Sequence, residues 1–132
     1  MSEVDDPAAS APATRVLCDT GAVLGAPDLS DGVLWKIAED HRQLDANLVR
    51  LGPKAQVAGH SEPDLDVLLY VVEGSGTLET PQGGQPLTAG SLAWLVHGST
   101  RSLHAGPCGM AYLTVHRRRP GMQIRPAPDT EP

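Results

Sequence analysis

The sequence contains no phenylalanine, and its two tryptophans and two tyrosines make aromatics 3% of 132 residues. A core without Phe must be filled by Val, Leu and Ala. Basic residues are also scarce. Ten Lys and Arg face sixteen Asp and Glu, for a formal charge of -6. That balance argues against a nucleic-acid partner, which needs a concentrated basic surface. The one basic run, "HRRRP" at 116–120, follows an apolar stretch and reads as a solvated strand end. No apolar run approaches the length of a membrane span, so no membrane partner is expected. The N-terminal "MSEVDDPAASAPATR" lacks the basic start and apolar centre of a secretory signal. Cytoplasmic residence is the expectation. With it, a structural disulfide between Cys18 and Cys108 is not expected. Neither cysteine belongs to a CxxC pair, and Cys108 in "GPCG" has no evident activating base.

Helical periodicity is the other absence; no segment sustains it. What the chain has instead is punctuation, 14 Gly and 12 Pro, at intervals suited to short strands and turns. The length fits one domain. Residues 1–14 and 124–132 carry too little apolar surface to offset the entropy of ordering, and are expected to be disordered tails. The domain is thus placed at 15–123. Within it, "VLGAPDLSDG" reads as a loop with a single helical turn. Strands are expected at 33–38, 45–51, 66–72, 91–96, 101–105 and 110–116. "DVLLYVV" (66–72) is apolar enough for a strand covered on both faces. "EGSGTLET" and "PQGGQP" read as a turn and a hairpin loop. The fold class is all-β, a barrel or sandwich.

Two stretches narrow this. "GHSEPDLDVLLYVVEGSG" (59–76) and "TAGSLAWLVHGSTRSLHAG" (88–106) resemble the two sequence motifs of the cupin superfamily over about residues 33–116. Gly59, His60, "LLYVVEGSG" and Gly74 match the first motif; Gly90, "LAWLV" and Gly98 match the second. The resemblance implies a jelly-roll β-barrel, a divalent metal ion in many members, and a homodimer. The ligand positions depart from the family pattern. Counted back from Gly74, His60 falls on the first family histidine and Glu62 on the second. The family glutamate falls on Val67 and the third histidine on Arg101. Val67 has no donor atom, and a guanidinium that stays protonated cannot ligate a cation.

Two readings of this degenerate site remain open at this point. In the first, Arg101 stands in place of the metal and pairs with Glu62 as a bidentate ion pair, with His60 nearby. The barrel then binds a small polar or anionic molecule through His60, Glu62 and Arg101, as a non-catalytic or accessory protein without a cofactor. In the second, a metal-dependent enzyme of oxygenase or isomerase type rebuilds its site on His60 and Glu62, which share one face of an extended segment. His104 supplies the third ligand, although strand alternation turns it away from Arg101; Asp66 and His97 are the other candidates. His41 and His116 are expected to be exposed. Trp35, Trp94, Tyr70 and Tyr112 are read as core or dimer-contact residues, with Tyr70 outside the barrel.

Overall fold

A computed structural model describes residues 13–119. Residues 1–12 of the first expected tail and all of the second, 124–132, lie outside that range, as do 120–123 at the end of the expected domain. The described residues form one short helix and seven strands. These are α1 (Thr20–Leu24), β1 (Gly32–Lys36), β2 (Leu44–Leu51), β3 (Gln56–Ser61), β4 (Val67–Thr80), β5 (Gly83–Thr88), β6 (Leu92–Leu95) and β7 (Thr100–Arg117). No helix among them is long and apolar enough to cross a membrane.

All pairings are antiparallel. The two long strands β4 and β7 run side by side and bend together, so one sheet folds over onto itself. The first half of β4 and the second half of β7 lie in a layer ordered β1-β2-β7-β4-β6, with Leu68 opposite both Val115 and Trp94. Past the bend, the same two strands lie in a layer ordered β3-β7-β4-β5, with Leu78 opposite both Leu103 and Gln85. This is the all-β, jelly-roll type of barrel the sequence led us to expect.

Alternation along β4 decides which side chains fill it. Val67, Leu69 and Val71 are buried, whereas Leu68 and Tyr70 stand 47% and 43% exposed on the outer face. The apolar run of β4 is therefore covered on one face, not on both. Leu78, Leu87, Leu103, Met110 and Tyr112 join the inward set to make the main core. A second cluster lies outside the first layer, where Leu24 of α1 packs on Leu48 and Ala111 with Leu34 and Trp35 around them. The helix begins a few residues earlier than the sequence indicated. Asp19 caps it, its carboxylate accepting from the Gly21 and Ala22 amides at 2.9 and 3.3 Å.

Two strands were missed in the sequence. β3 reads as a ligand loop because Gly and His interrupt its apolar positions, and β5 reads as a hairpin loop because Gly83, Gly84 and Pro86 sit in it. Pro86 is tolerated there because β5 ends its layer, where one side of the strand needs no ladder donor. The stretches at 101–105 and 110–116 are a single strand, since "GPCG" bends β7 without ending it.

Candidate functional site

Between the two layers lies a cavity of about 190 Å³, open at one end. Val67 and Leu69 of β4, Leu95 of β6 and Leu103 of β7 form apolar walls. From β7 the cavity also receives Arg101, Tyr112 and Thr114, and Glu62 and Arg119 line it as well. Arg101 is the one buried charged side chain among the described residues, at 6% exposure. It is the second residue of β7, and strand alternation points it inward with Leu103 and Ala105.

Arg101 is poorly satisfied. A guanidinium carries five N–H donors. Among the described residues its hydrogen bonds amount to one, from Nη1 to the Ser99 carbonyl at 3.3 Å, and no carboxylate lies within ion-pair distance. Burial pulls its pKa below the ordinary value, and the nearby charge of Glu62 opposes that shift. A delocalised guanidinium stays charged regardless.

The expected Arg101–Glu62 pair does not form. Glu62 Oε1 accepts from Arg119 at 2.7 Å, and Oε2 accepts from the Asp64 amide at 3.1 Å. The end of β7 carries Arg119 back over the loop that follows β3, so the run read as a solvated strand end closes part of the site. His116, expected to be exposed, is instead half-buried and lines the cavity. Its Nδ1 donates to the Arg117 carbonyl at 2.7 Å, since a carbonyl can only accept.

The other sequence candidates fall elsewhere. His104 stands on the face of β7 opposite Arg101, half-buried, and is not brought together with Glu62. Asp66 turns outward and accepts from the His97 amide and ring at 2.9 and 2.7 Å. For His60 the described part is its backbone, which pairs with Arg101 across β3 and β7.

Comparison with solved structures places this geometry. A sugar phosphate isomerase from a cupin superfamily, from Silicibacter pomeroyi, superposes with a TM-score of 0.55 at 28% identity, over 59% of this chain and 52% of that one. The chain thus spans about half the length of that relative. A cupin-2 domain containing protein from Shewanella frigidimarina gives 0.57 at 19% identity, over 75% and 90% of the two chains. The polyketide cyclase RemF from Streptomyces resistomycificus gives 0.56 at 20%, over 61% and 59%. The chain folds as a cupin. No protein-family model matches it, and no curated protein matches it in sequence.

The donors that this barrel places in its cavity suit a divalent metal ion badly. A cation there would share a poorly screened space with the Arg101 charge, and both oxygens of Glu62 are already engaged. Val67, on the family glutamate position, adds only an apolar wall. Among the described residues no three of His, Cys, Asp and Glu converge as a ligand set.

Tyr112, read from the sequence as a core or dimer-contact residue, belongs to the core and also lines the site. Thr114 and Arg119, which the sequence did not single out, line it too. Tyr112 is 5% exposed, and no hydrogen bond to its hydroxyl occurs among the described residues. Burial raises its pKa, so it stays a neutral donor. Its signal was parity: Tyr112 stands two residues from Thr114 on β7, opposite Val71 of the inward set.

Glu62 gives the barrel an acid-side dependence. Its pKa is lowered first by the Arg119 hydrogen bond and then by the Asp64 amide. A depressed folded-state pKa adds stability above the unfolded value, and that stability is lost as pH falls through the folded one. Glu62→Gln is expected to lower stability at pH 7 by about 1 kcal/mol or less, because Arg119 is half exposed and screened. By pH 3 the difference from wild type should shrink. Urea midpoints at the two pH values measure this; a constant gap would show that the ion pair contributes nothing to it.

Proposed function

We propose that this cupin barrel binds a small carboxylic acid at Arg101, as a binding or accessory protein without turnover and without a metal ion. The observation that carries the reading is the state of Arg101. A buried guanidinium faces a cavity with apolar walls while its nearest carboxylate is held by Arg119. An incoming carboxylate offers two parallel charge-assisted bonds to the open fork. The hydroxyls of Tyr112 and Thr114 add polar positions, and the Val and Leu walls suit a short carbon chain. Arg101 and Leu95 also line a second space of about 490 Å³ beside the cavity of about 190 Å³, so the barrel has room for a small organic acid with its carbon chain.

The rival reading, a metal-dependent oxygenase or isomerase on His60 and Glu62, would first have to break the Glu62–Arg119 pair. One screen separates the two. Small organic acids should raise the melting temperature, because a ligand specific to the native state stabilises it by about 2.7 kcal/mol at 100 times its Kd, equivalent to about 10 °C or more for a domain of this size. Elemental analysis of the untagged protein should find no stoichiometric transition metal. A metal lost on His60→Ala, with no acid shifting the wild type, would reverse the assignment.

We also infer a homodimer through the open outer face of β4 and β6. There Leu68 pairs with Trp94 and Tyr70 with Leu92, and Trp94 and Leu92 stand 65% and 66% exposed. Such a flat apolar set on neighbouring strands can meet its own copy about a twofold axis. Trp94→Glu is then expected to sediment as a monomer where the wild type sediments as a dimer. A monomeric wild type would remove this inference. Cytoplasmic residence belongs to the same proposal, supported by two unpaired thiols, Cys18 and Cys108.

A further inference from the structure

The cavity does not end at its polar rim. A groove of about 330 Å³ continues from it, lined by Lys36, Arg42, Asp45 and Asn47 and sharing His116 and Arg119 with the cavity. The strand register explains the continuity. Leu69 lies opposite Thr114, Thr114 opposite Asn47, and Asn47 opposite Lys36. Residues directly opposite share a face, so the surface that floors the cavity at Leu69 and Thr114 runs on across two more strands to Lys36.

The charge of this groove is unlike that of the chain. The protein carries a formal -6, yet Lys36, Arg42 and Arg119 line this groove, Arg119 with its charge met by Glu62. The groove's one acid, Asp45, is held by Arg42 Nε at 2.8 Å, and Arg42 Nη1 also donates to the Glu39 carbonyl at 3.0 Å. Arg42 is thereby fixed in place. The Lys36 side chain has no ion-pair or hydrogen-bond partner among the described residues and stands exposed at the groove wall.

We propose that the ligand is an elongated dianion, one acid group on Arg101 inside the barrel and a second in the outer groove against Lys36 and Arg42. This rests on the reading of Arg101 as an acid anchor and adds the second end. Neighbouring strands are about 4.8 Å apart, so Thr114 and Lys36 are separated by about 10 Å. With one acid at Arg101 inside the barrel and the other beyond Thr114 at Lys36, the molecule must carry a chain of several carbons between them, and the apolar cavity walls accept that chain. The outer acid is a carboxylate or a phosphoryl group; both offer oxygens to a lysine and an arginine.

Matched probes test this on the full-length protein by titration calorimetry. Hexanoate and octanoate are compared with hexanedioate and octanedioate, and with 6-phosphonohexanoate. One member of the dianion set should bind about tenfold or more tightly than the monoacid of equal chain length, the gain of one hydrogen-bonded charge. Lys36→Ala should bring that ratio close to one. A stronger phosphonate assigns the outer end to a phosphoryl group, and a stronger dioate to a carboxylate. Monoacids that bind as well as every dianion would overturn the inference while leaving the acid-binding reading intact. Lys36→Ala weakening both classes equally would also overturn it. If no probe binds, both readings fall together.

Discussion

Replacing Arg101 by methionine is expected to remove acid binding and to leave the folded protein at least as stable as the wild type. The two effects have one cause. In the wild type a cation sits 6% exposed with a single 3.3 Å bond to a carbonyl, so the fold bears its desolvation with little return. Methionine follows the path of the arginine stem and fills the same space with no charge to desolvate. Replacing buried ionic groups by well-packed apolar ones is commonly neutral or stabilising by about 1–4 kcal/mol. The binding side is opposite in sign. Truncating a buried charged anchor costs about 2–5 kcal/mol of affinity, a loss of about 30-fold to several thousandfold. Thermal melts with and without acid read both effects at once. Arg101→Lys should fall between, because an ammonium keeps the charge and loses the planar fork. A destabilised methionine variant would mean that Arg101 holds the barrel together. One that still responds to acid would place the anchor elsewhere.

The inward position of Arg101 was legible because it depends on local counting. Counting from Gly74 put His60 and Arg101 on two ligand positions of the family motifs, and the structure pairs their backbones across β3 and β7. Strand parity likewise put Tyr70 outside and Val67 inside. What escaped the sequence is what depends on distant segments meeting. Glu62 and Arg119 are 57 positions apart, and nothing in "HRRRP" announces that its last arginine returns to the loop after β3. A carboxylate and two competing cations cannot be paired from spacing alone. The same holds for Lys36, whose place beside the cavity follows only from three successive registers. β3 and β5 were obscured for a compositional reason. Gly, Pro and His dilute the apolar alternation, and their ladder partners on β7 and β4, which override that weakness, lie far along the chain.

Alanine at Gly74 is expected to destabilise the protein by about 4 kcal/mol or more, a large share of the roughly 5–15 kcal/mol that holds a domain folded. Gly74 lies where β4 crosses from one layer to the other, at φ +82°, and a left-handed backbone costs an L-residue about 1–2 kcal/mol. The larger part is steric. A Cβ there would fall 2.3 Å from the Gly109 carbonyl oxygen and 2.9 Å from the Met110 Cα. Both are backbone atoms of β7, itself bending at Gly109 with φ +83°, so no side chain can swing aside. The two strands would have to separate at the bend that sets Arg101 across the cavity from Thr114. Gly90→Ala provides the comparison, since Gly90 has φ +95° and nothing within 4 Å of its added Cβ. Only the backbone cost applies there, about 1–2 kcal/mol. Denaturant midpoints of the two variants isolate the close approach of β4 and β7. Equal losses would mean that the bend can open to admit a methyl group, and that this crossing does not fix the distance between the layers.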